Sequence, residues 1–228
     1  MDKEARVLVA TIHPWNLANA RQLKRRMKNV RIITRKESLT AAYVKQFNPK
    51  YIFFPHWSWR IPEDIHRNFN CVVFHMTDLP FGRGGSPLQN LIARGITTTK
   101  ITALRAVEGM DAGPVYLKKP LTLTGTAEEI FIRASGIIFD QMIPFIVDKN
   151  PVPRPQKGRA VYFTRRKPAE SELKGTGSLK SVFDFIRMLD AKTYPQAFIK
   201  AGPLKICFTE AVFKKNAVLA KAEITWEA

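Results

Sequence analysis

Cysteine is scarce in this chain of 228 residues: Cys71 and Cys207 are the only two, both in apolar contexts and neither in a CxxC or CxxH spacing. That argues against a disulfide framework and a zinc site, and it fits a reducing cytoplasm. Acidic residues are few, 19 against 37 Lys and Arg, leaving a formal net charge of +18. Such an excess points to anionic partners: nucleic acid, phosphorylated metabolites or a membrane surface. No apolar run approaches the ~20 residues that span a bilayer. The N-terminal MDKEARVLVATIH lacks both an apolar h-region and a small-residue cleavage site. A cytoplasmic protein with no membrane span is therefore expected. Core-forming residues are plentiful, at 45% hydrophobic and 11% aromatic, which excludes disorder as the main state.

The first half alternates strand and helix patterns. Strands are predicted at 6–12, 30–34, 51–55 and 71–75. Helices are predicted at 16–28, from an N-cap at Ser38 to Phe47, and at 62–68. A further helix is expected at 86–94, strands at 100–106 and 115–123, and a long helix at 126–146. This order predicts an α/β fold: a Rossmann-like, mostly parallel sheet with helices on both faces. After it, NPVPRPQKGRA opens a basic stretch; 149–180 holds nine Lys/Arg against two Glu. The tail adds a helix at 179–190 and strands at 204–209 and 217–225. The expected division is a domain over 1–150, then a basic linker and small α+β extension over 151–228.

In such sheets ligands bind beyond the carboxyl ends of the strands. His75 stands at one such end and leads into HMTDLPFGRGGSPLQ, a turn rich in glycine. Glycine lets a backbone approach a ligand closely, so a His here reads as a site residue rather than a core one.

This segment resembles the 10-formyltetrahydrofolate-dependent formyltransferases, whose signature is Asn-x-His-x-Ser-Leu-Leu-Pro-x-x-Arg-Gly-x-x-Pro-x-Gln. His75, Thr77 (for Ser), Leu79, Pro80, Arg83, Gly84, Pro87 and Gln89 fall in register with it. TTKIT at 98–102 resembles the family's Thr-Gly-Val-Thr strand, and EGMDAGPVY at 108–116 resembles its Met-Asp-x-Gly-x-Ile loop. The resemblance covers about 5–150 and is strong over 74–116. It implies formyl transfer to an amine. His75 would stabilise the developing oxyanion or shuttle the amine proton, and Asp111 would orient His75 and act as base. It implies 10-formyltetrahydrofolate as cosubstrate, held by Trp57, Trp59, Ile61, Arg83, Val107, Glu108 and Gly109, with one of the two tryptophans only packing. His56 has no second ligand at helix or loop spacing, so no metal is expected.

One departure stands out. The family's Asn two residues before the His is Val73 here, and valine cannot donate a hydrogen bond. His56, Asn16, Gln89 and Asn90 are the candidate replacement donors, with His56 and Asn16 ranked first. Otherwise backbone or water serves the oxyanion, or activity is weakened.

The tRNA enzymes of this family carry a C-terminal RNA-binding barrel, for which this chain looks too short. SVFDFIRMLDAKTYPQAFI at 181–199 resembles the segment after the core in both the tRNA and the sugar-nucleotide enzymes. The expected acceptor is the amine of a phosphate-bearing nucleotide sugar used in polysaccharide assembly, with the basic residues on its phosphates. The alternatives are an RNA-acting protein like methionyl-tRNA formyltransferase, and a catalytically weakened folate- or sugar-binding module. A homodimer is admitted as the assembly.

Overall fold

The structure is a computed structural model that describes residues 4–175 and 177–227. Residues 1–3 of the stretch read against a leader, Thr176 of the basic segment and Ala228 lie outside the described residues. The chain forms two compact units. The first comprises the described residues of 1–84, 99–121 and 132–162; the second comprises those of 85–98, 122–131 and 163–228.

The first unit is built on a sheet of strands β1 (Val7–Ala10), β2 (Val30–Ile33), β3 (Tyr51–Phe54), β4 (Cys71–His75), β6 (Thr98–Arg105) and β7 (Val115–Thr122), in the order β2-β1-β3-β4-β6-β7. A two-residue strand, β5 (Arg83–Gly84), lies in the loop after β4, and another, β8 (Tyr162–Phe163), follows the long helix in the chain. β2, β1, β3 and β4 run parallel, and β6 pairs antiparallel with β4. The mostly parallel expectation holds. The direction reverses at β6 because the chain re-enters the sheet at the end where β4 leaves it, Thr102 pairing with His75 and Arg105 with Val72. Val7, Leu8, Val9 and Ala10 are each 0% exposed, as in a strand covered on both faces. Each of the Val and Leu side chains contributes about 1.5–3 kcal/mol when fully buried.

Helix α1 (Pro14–Arg26) begins at a proline, whose missing N–H costs nothing in the first turn. It ends in Lys24, Arg25 and Arg26, which complement the carbonyl end of its dipole. Its buried side chains include Trp15, Asn16, Ala20 and Leu23. Helix α2 (Ala41–Phe47) is capped by Thr40, whose hydroxyl accepts from the Tyr43 amide at 3.2 Å. This corrects the expected cap at Ser38, which instead closes a 3₁₀ turn over Lys36–Ser38. Helix α3 (Glu63–Asn68) opens with two acids and leads into β4.

The long helix runs as α5 (Ala127–Ile137), a π turn (Ile138–Met142) and α6 (Ile143–Lys149). By length and composition, Ala127–Lys149 is apolar enough to cross a membrane, with an 18-residue stretch of mean hydropathy 1.6 inside it. The absence of a long apolar run therefore needs this correction. Arg133 and Asp140 interrupt the run without lowering its mean far. Ala134, Ile138, Met142, Ile143 and Ile146 are 0% exposed, the burial of a core helix.

The second unit holds α4 (Pro87–Ala93), α7 (Leu179–Arg187) and an antiparallel sheet in the order β11-β10-β9: β9 (Ala197–Ala201), β10 (Leu204–Lys214) and β11 (Ala217–Trp226). Ser178 caps α7, its hydroxyl accepting from the Ser181 amide at 3.1 Å. Arg187 is buried and donates to Asp184 Oδ1 at 2.6 Å and to the carbonyls of Leu123 and Gly125. The sequence pattern predicts β10 only to Thr209. The strand continues to Lys214 because a bulge between Thr209 and Val212, with Glu210 at φ 54°, resets its alternation.

Candidate active site

β4 delivers His75 to the carboxyl edge of the first unit's sheet, followed by a loop in which Gly82 and Gly84 take φ of 76° and 107°. Those angles favour glycine. They let the Gly82 carbonyl turn back to His75, 2.7 Å from Nε2, while Nδ1 lies 3.4 Å from Asp111 Oδ2. The same carboxylate oxygen accepts from the Gly84 amide at 2.9 Å. His75 is buried, with an acceptor facing each ring nitrogen. Thr77, where the signature has Ser, is also buried, and its carbonyl accepts from Thr102 Oγ1 at 2.7 Å.

Asp111 lies between β6 and β7 with φ 50°, a left-handed conformation that Asp tolerates better than most residues. Gly113 completes the turn; a Cβ there would lie 1.8 Å from the Arg105 carbonyl oxygen. Gln156 holds the loop from outside. Its Nε2 donates to the carbonyls of Asp111 (2.7 Å) and Gly113 (2.8 Å), and its Oε1 accepts from Arg83 Nη2 (2.8 Å) and Nε (3.2 Å). Sequence reasoning missed Gln156. Its available signal was an uncharged polar side chain in a run of prolines, which hold their backbone extended and cannot donate.

A second polar group forms around the end of β3. His56 has φ 50°. Its Nδ1 faces Asn16 Nδ2 at 3.1 Å, and its Nε2 faces the Met76 thioether at 3.2 Å. Asn16 Nδ2 also donates to the Pro55 carbonyl at 3.1 Å, while Asn16 Oδ1 is buried with no hydrogen-bond partner. Burial, and then the neighbouring charges of His13 and His75, push the His56 imidazole down to about 3. His13 stacks on Trp15 at 4.6 Å between ring centroids.

The other sequence candidates divide. Trp57 packs against the apolar cluster around Leu8, Ile52 and Phe54, and Ile61 and Ala106 belong to that cluster. Trp59 stands edge-on to Trp57 at 4.8 Å and is 37% exposed. Val107, Glu108 and Gly109 are exposed in the loop before Asp111. The Arg83 guanidinium is held by Gln156 and by the Tyr162 hydroxyl at 3.3 Å. In the second unit Gln89 donates to the Met188 carbonyl, and Asn90 Nδ2 donates to the carbonyls of Gly85, Ser86 and Thr164. Val73 is half-buried against the same apolar cluster and pairs in register with Phe54. Among the described residues, no three His, Cys, Asp or Glu side chains group as a metal site would.

Residues 168–225 match a family model described as methionyl-tRNA formyltransferase, C-terminal domain. A methionyl-tRNA formyltransferase from Clostridium thermocellum is 52% identical, with a TM-score of 0.96 over 97% of this chain and 99% of that one. The curated methionyl-tRNA formyltransferase of Thermodesulfovibrio yellowstonii is 27% identical over 186 residues, 76% of this chain and 58% of the relative. The chain thus spans less than two thirds of that relative's length. A sugar N-formyltransferase from Shewanella sp. shares the fold, with a TM-score of 0.71 and 15% identity over 90% of this chain and 97% of that one. At 52% identity across nearly the whole of both chains, this chain belongs to the formyltransferase family.

Proposed function

We propose that this chain transfers a formyl group from 10-formyltetrahydrofolate to the amine of an aminoacyl-tRNA. The observation that carries the chemistry is the Asp111 carboxylate, fixed by the Gly84 amide and facing the buried His75 ring at 3.4 Å. An amine is a nucleophile only after losing a proton. A carboxylate beside an imidazole can take that proton, directly or through one water, and pass it on. The Gly82 carbonyl and the Asp111 carboxylate each offer an acceptor to one nitrogen of the His75 ring, which holds the imidazole between them.

10-Formyltetrahydrofolate, when bound, supplies an activated formyl carbon. The residues present fit such a ligand. Trp57 and Trp59 offer aromatic surface for a flat heterocycle, and Trp57 Nε1 is buried with no hydrogen-bond partner. Ala106, at the root of the exposed 107–109 loop, shares the apolar cluster on which Trp57 packs.

For the acceptor, two findings favour RNA over a nucleotide sugar. The nucleotide-sugar expectation rested on a tail too short for an RNA-binding module, and residues 168–225 match the C-terminal domain of the tRNA enzymes. The relative sharing 52% of its residues is likewise named for methionyl-tRNA. The net charge of +18 suits a polynucleotide, whose affinity grows with the number of phosphates neutralised. We place catalysis in residues 1–150 and acceptor binding largely in 151–228.

The test is a panel of acceptors with 10-formyltetrahydrofolate: methionyl-tRNA, other aminoacyl-tRNAs, free methionine and amino-sugar nucleotides, read by mass spectrometry for formyl gain. Formylation of methionyl-tRNA well above the rest is expected. Formylation of an amino-sugar nucleotide alone would overturn the acceptor, and no transfer to any amine would overturn the activity.

A further inference from the structure

We infer that His56 is a catalytic hydrogen-bond donor in this chain, its Nε2–H meeting the negative charge that builds on the formyl oxygen, the task Val73 cannot perform. This inference rests on the formyl-transfer reading above.

Position comes first. β3 and β4 run parallel with Phe54 opposite Val73. β3 ends at Phe54, and His56 follows in the turn at its carboxyl end, the sheet edge to which β4 delivers His75. Met76, the residue after His75, takes the Nε2 side of His56 at 3.2 Å. The two imidazoles thus leave the carboxyl ends of neighbouring strands.

The second argument is the proton. The amide nitrogen of Asn16 can only donate, so His56 Nδ1 must accept from it. That fixes the proton on Nε2. Burial and the neighbouring charges keep the ring neutral, so His56 presents one N–H and gives up no proton. A neutral imidazole so held polarises a carbonyl oxygen without competing as an acid. Its present acceptor is a thioether sulfur, the weakest in the side-chain inventory. Exchange of sulfur for an oxyanion is therefore a gain realised mainly in the transition state.

The third argument is backbone strain. A histidine at φ 50° sits in a sparsely populated region, and such residues gather where function over-determines geometry. The rival donors are committed. Asn16 spends its amide hydrogens on the Pro55 carbonyl and on His56 itself. Gln89 and Asn90 donate to backbone carbonyls of the second unit. Asn16 is thus a positioning residue for His56.

Two measurements test the inference. In single-turnover formyl transfer with folate saturating, His56→Phe is expected to fall by roughly 10²–10³, the usual effect of removing one oxyanion donor. Its folate affinity should stay within a few-fold. His56→Gln retains an N–H and should stay within about tenfold of wild type, and Val73→Asn should restore about tenfold in the His56→Phe background. A His56→Phe rate within threefold of wild type overturns the inference. The second measurement uses the unaltered protein labelled with ¹⁵N-histidine and a stable 10-formyl folate analogue. The His56 Nε2–H resonance should be that of a neutral ring and should move downfield when the analogue binds. Bound analogue with an unmoved His56 overturns this inference alone. No binding of the analogue overturns the folate reading and this inference with it.

Discussion

The side-chain amide of Gln156 donates to the backbone carbonyl of Asp111 at 2.7 Å. With its second hydrogen on the Gly113 carbonyl and its oxygen on Arg83, one side chain clamps the loop after β4 to the loop before β7. Gln156→Ala should leave these carbonyls and the guanidinium without their partner, at about 1–3 kcal/mol of stability, and should slow turnover more than it weakens folate binding. Gln156→Glu separates the two halves of the clamp: it keeps the acceptor for Arg83 but loses both donations. Its turnover is expected to match that of Gln156→Ala while its melting temperature partly recovers, measured by thermal unfolding and steady-state kinetics. Full turnover in both variants would show that Asp111 holds its position without Gln156.

Gly113 tests the same loop through sterics. A Cβ there would sit 1.8 Å from the Arg105 carbonyl oxygen, so Gly113→Ala must displace backbone. Lower turnover and a loss of a few kcal/mol in denaturant unfolding are expected, since backbone cannot yield as a flexible side chain does. Gly109→Ala is the control. Its nearest contact is the Ala112 methyl at 3.1 Å, so small movements accommodate it and folding stability should change little.

His56 should also be visible in stability against pH. Its folded ring is held down to about 3 against an ordinary 6.5, first by burial and then by the charges of His13 and His75. Between these values the unfolded chain binds a proton that the folded chain does not, so stability falls as pH drops through that window. The slope from this one group is up to about 1.4 kcal/mol per pH unit. Urea unfolding of wild type and His56→Gln from pH 7 to pH 4 checks it. The difference between them should shrink or reverse toward low pH in favour of the variant; a constant difference would show that His56 is not held neutral.

The centre of the sheet was legible in the sequence because β1, β3 and β4 are short, apolar and almost wholly buried; Cys71–His75 falls where CVVFH places it. The pairing of His75 with Asp111 was legible only through two spaced motifs, since 36 residues separate them and no local pattern joins them. Three features were hidden for physical reasons. Thr40, not Ser38, caps α2 because an intervening 3₁₀ turn takes up Lys36–Ser38, and both hydroxyls satisfy the same local rule. β9 is five residues between Pro195 and Gly202, too short for alternation to stand out. Gln156 acts through long-range bonds to backbone, which leave no periodicity in sequence. The acceptor expectation leans on chain length, which says little when a compact segment such as 168–225 carries the family's C-terminal pattern.

The central claim is that His75 and Asp111 carry out formyl transfer. The most direct measurement is the single-turnover rate of formyl transfer to methionyl-tRNA by wild type, His75→Ala and Asp111→Asn, with folate affinity measured in parallel by fluorescence or calorimetry. The account predicts a fall of about 10² or more in both variants with folate affinity changed no more than a few-fold, because these groups act mainly on the transition state. Near-wild-type rates in both variants, or a loss explained wholly by lost folate binding, would contradict it.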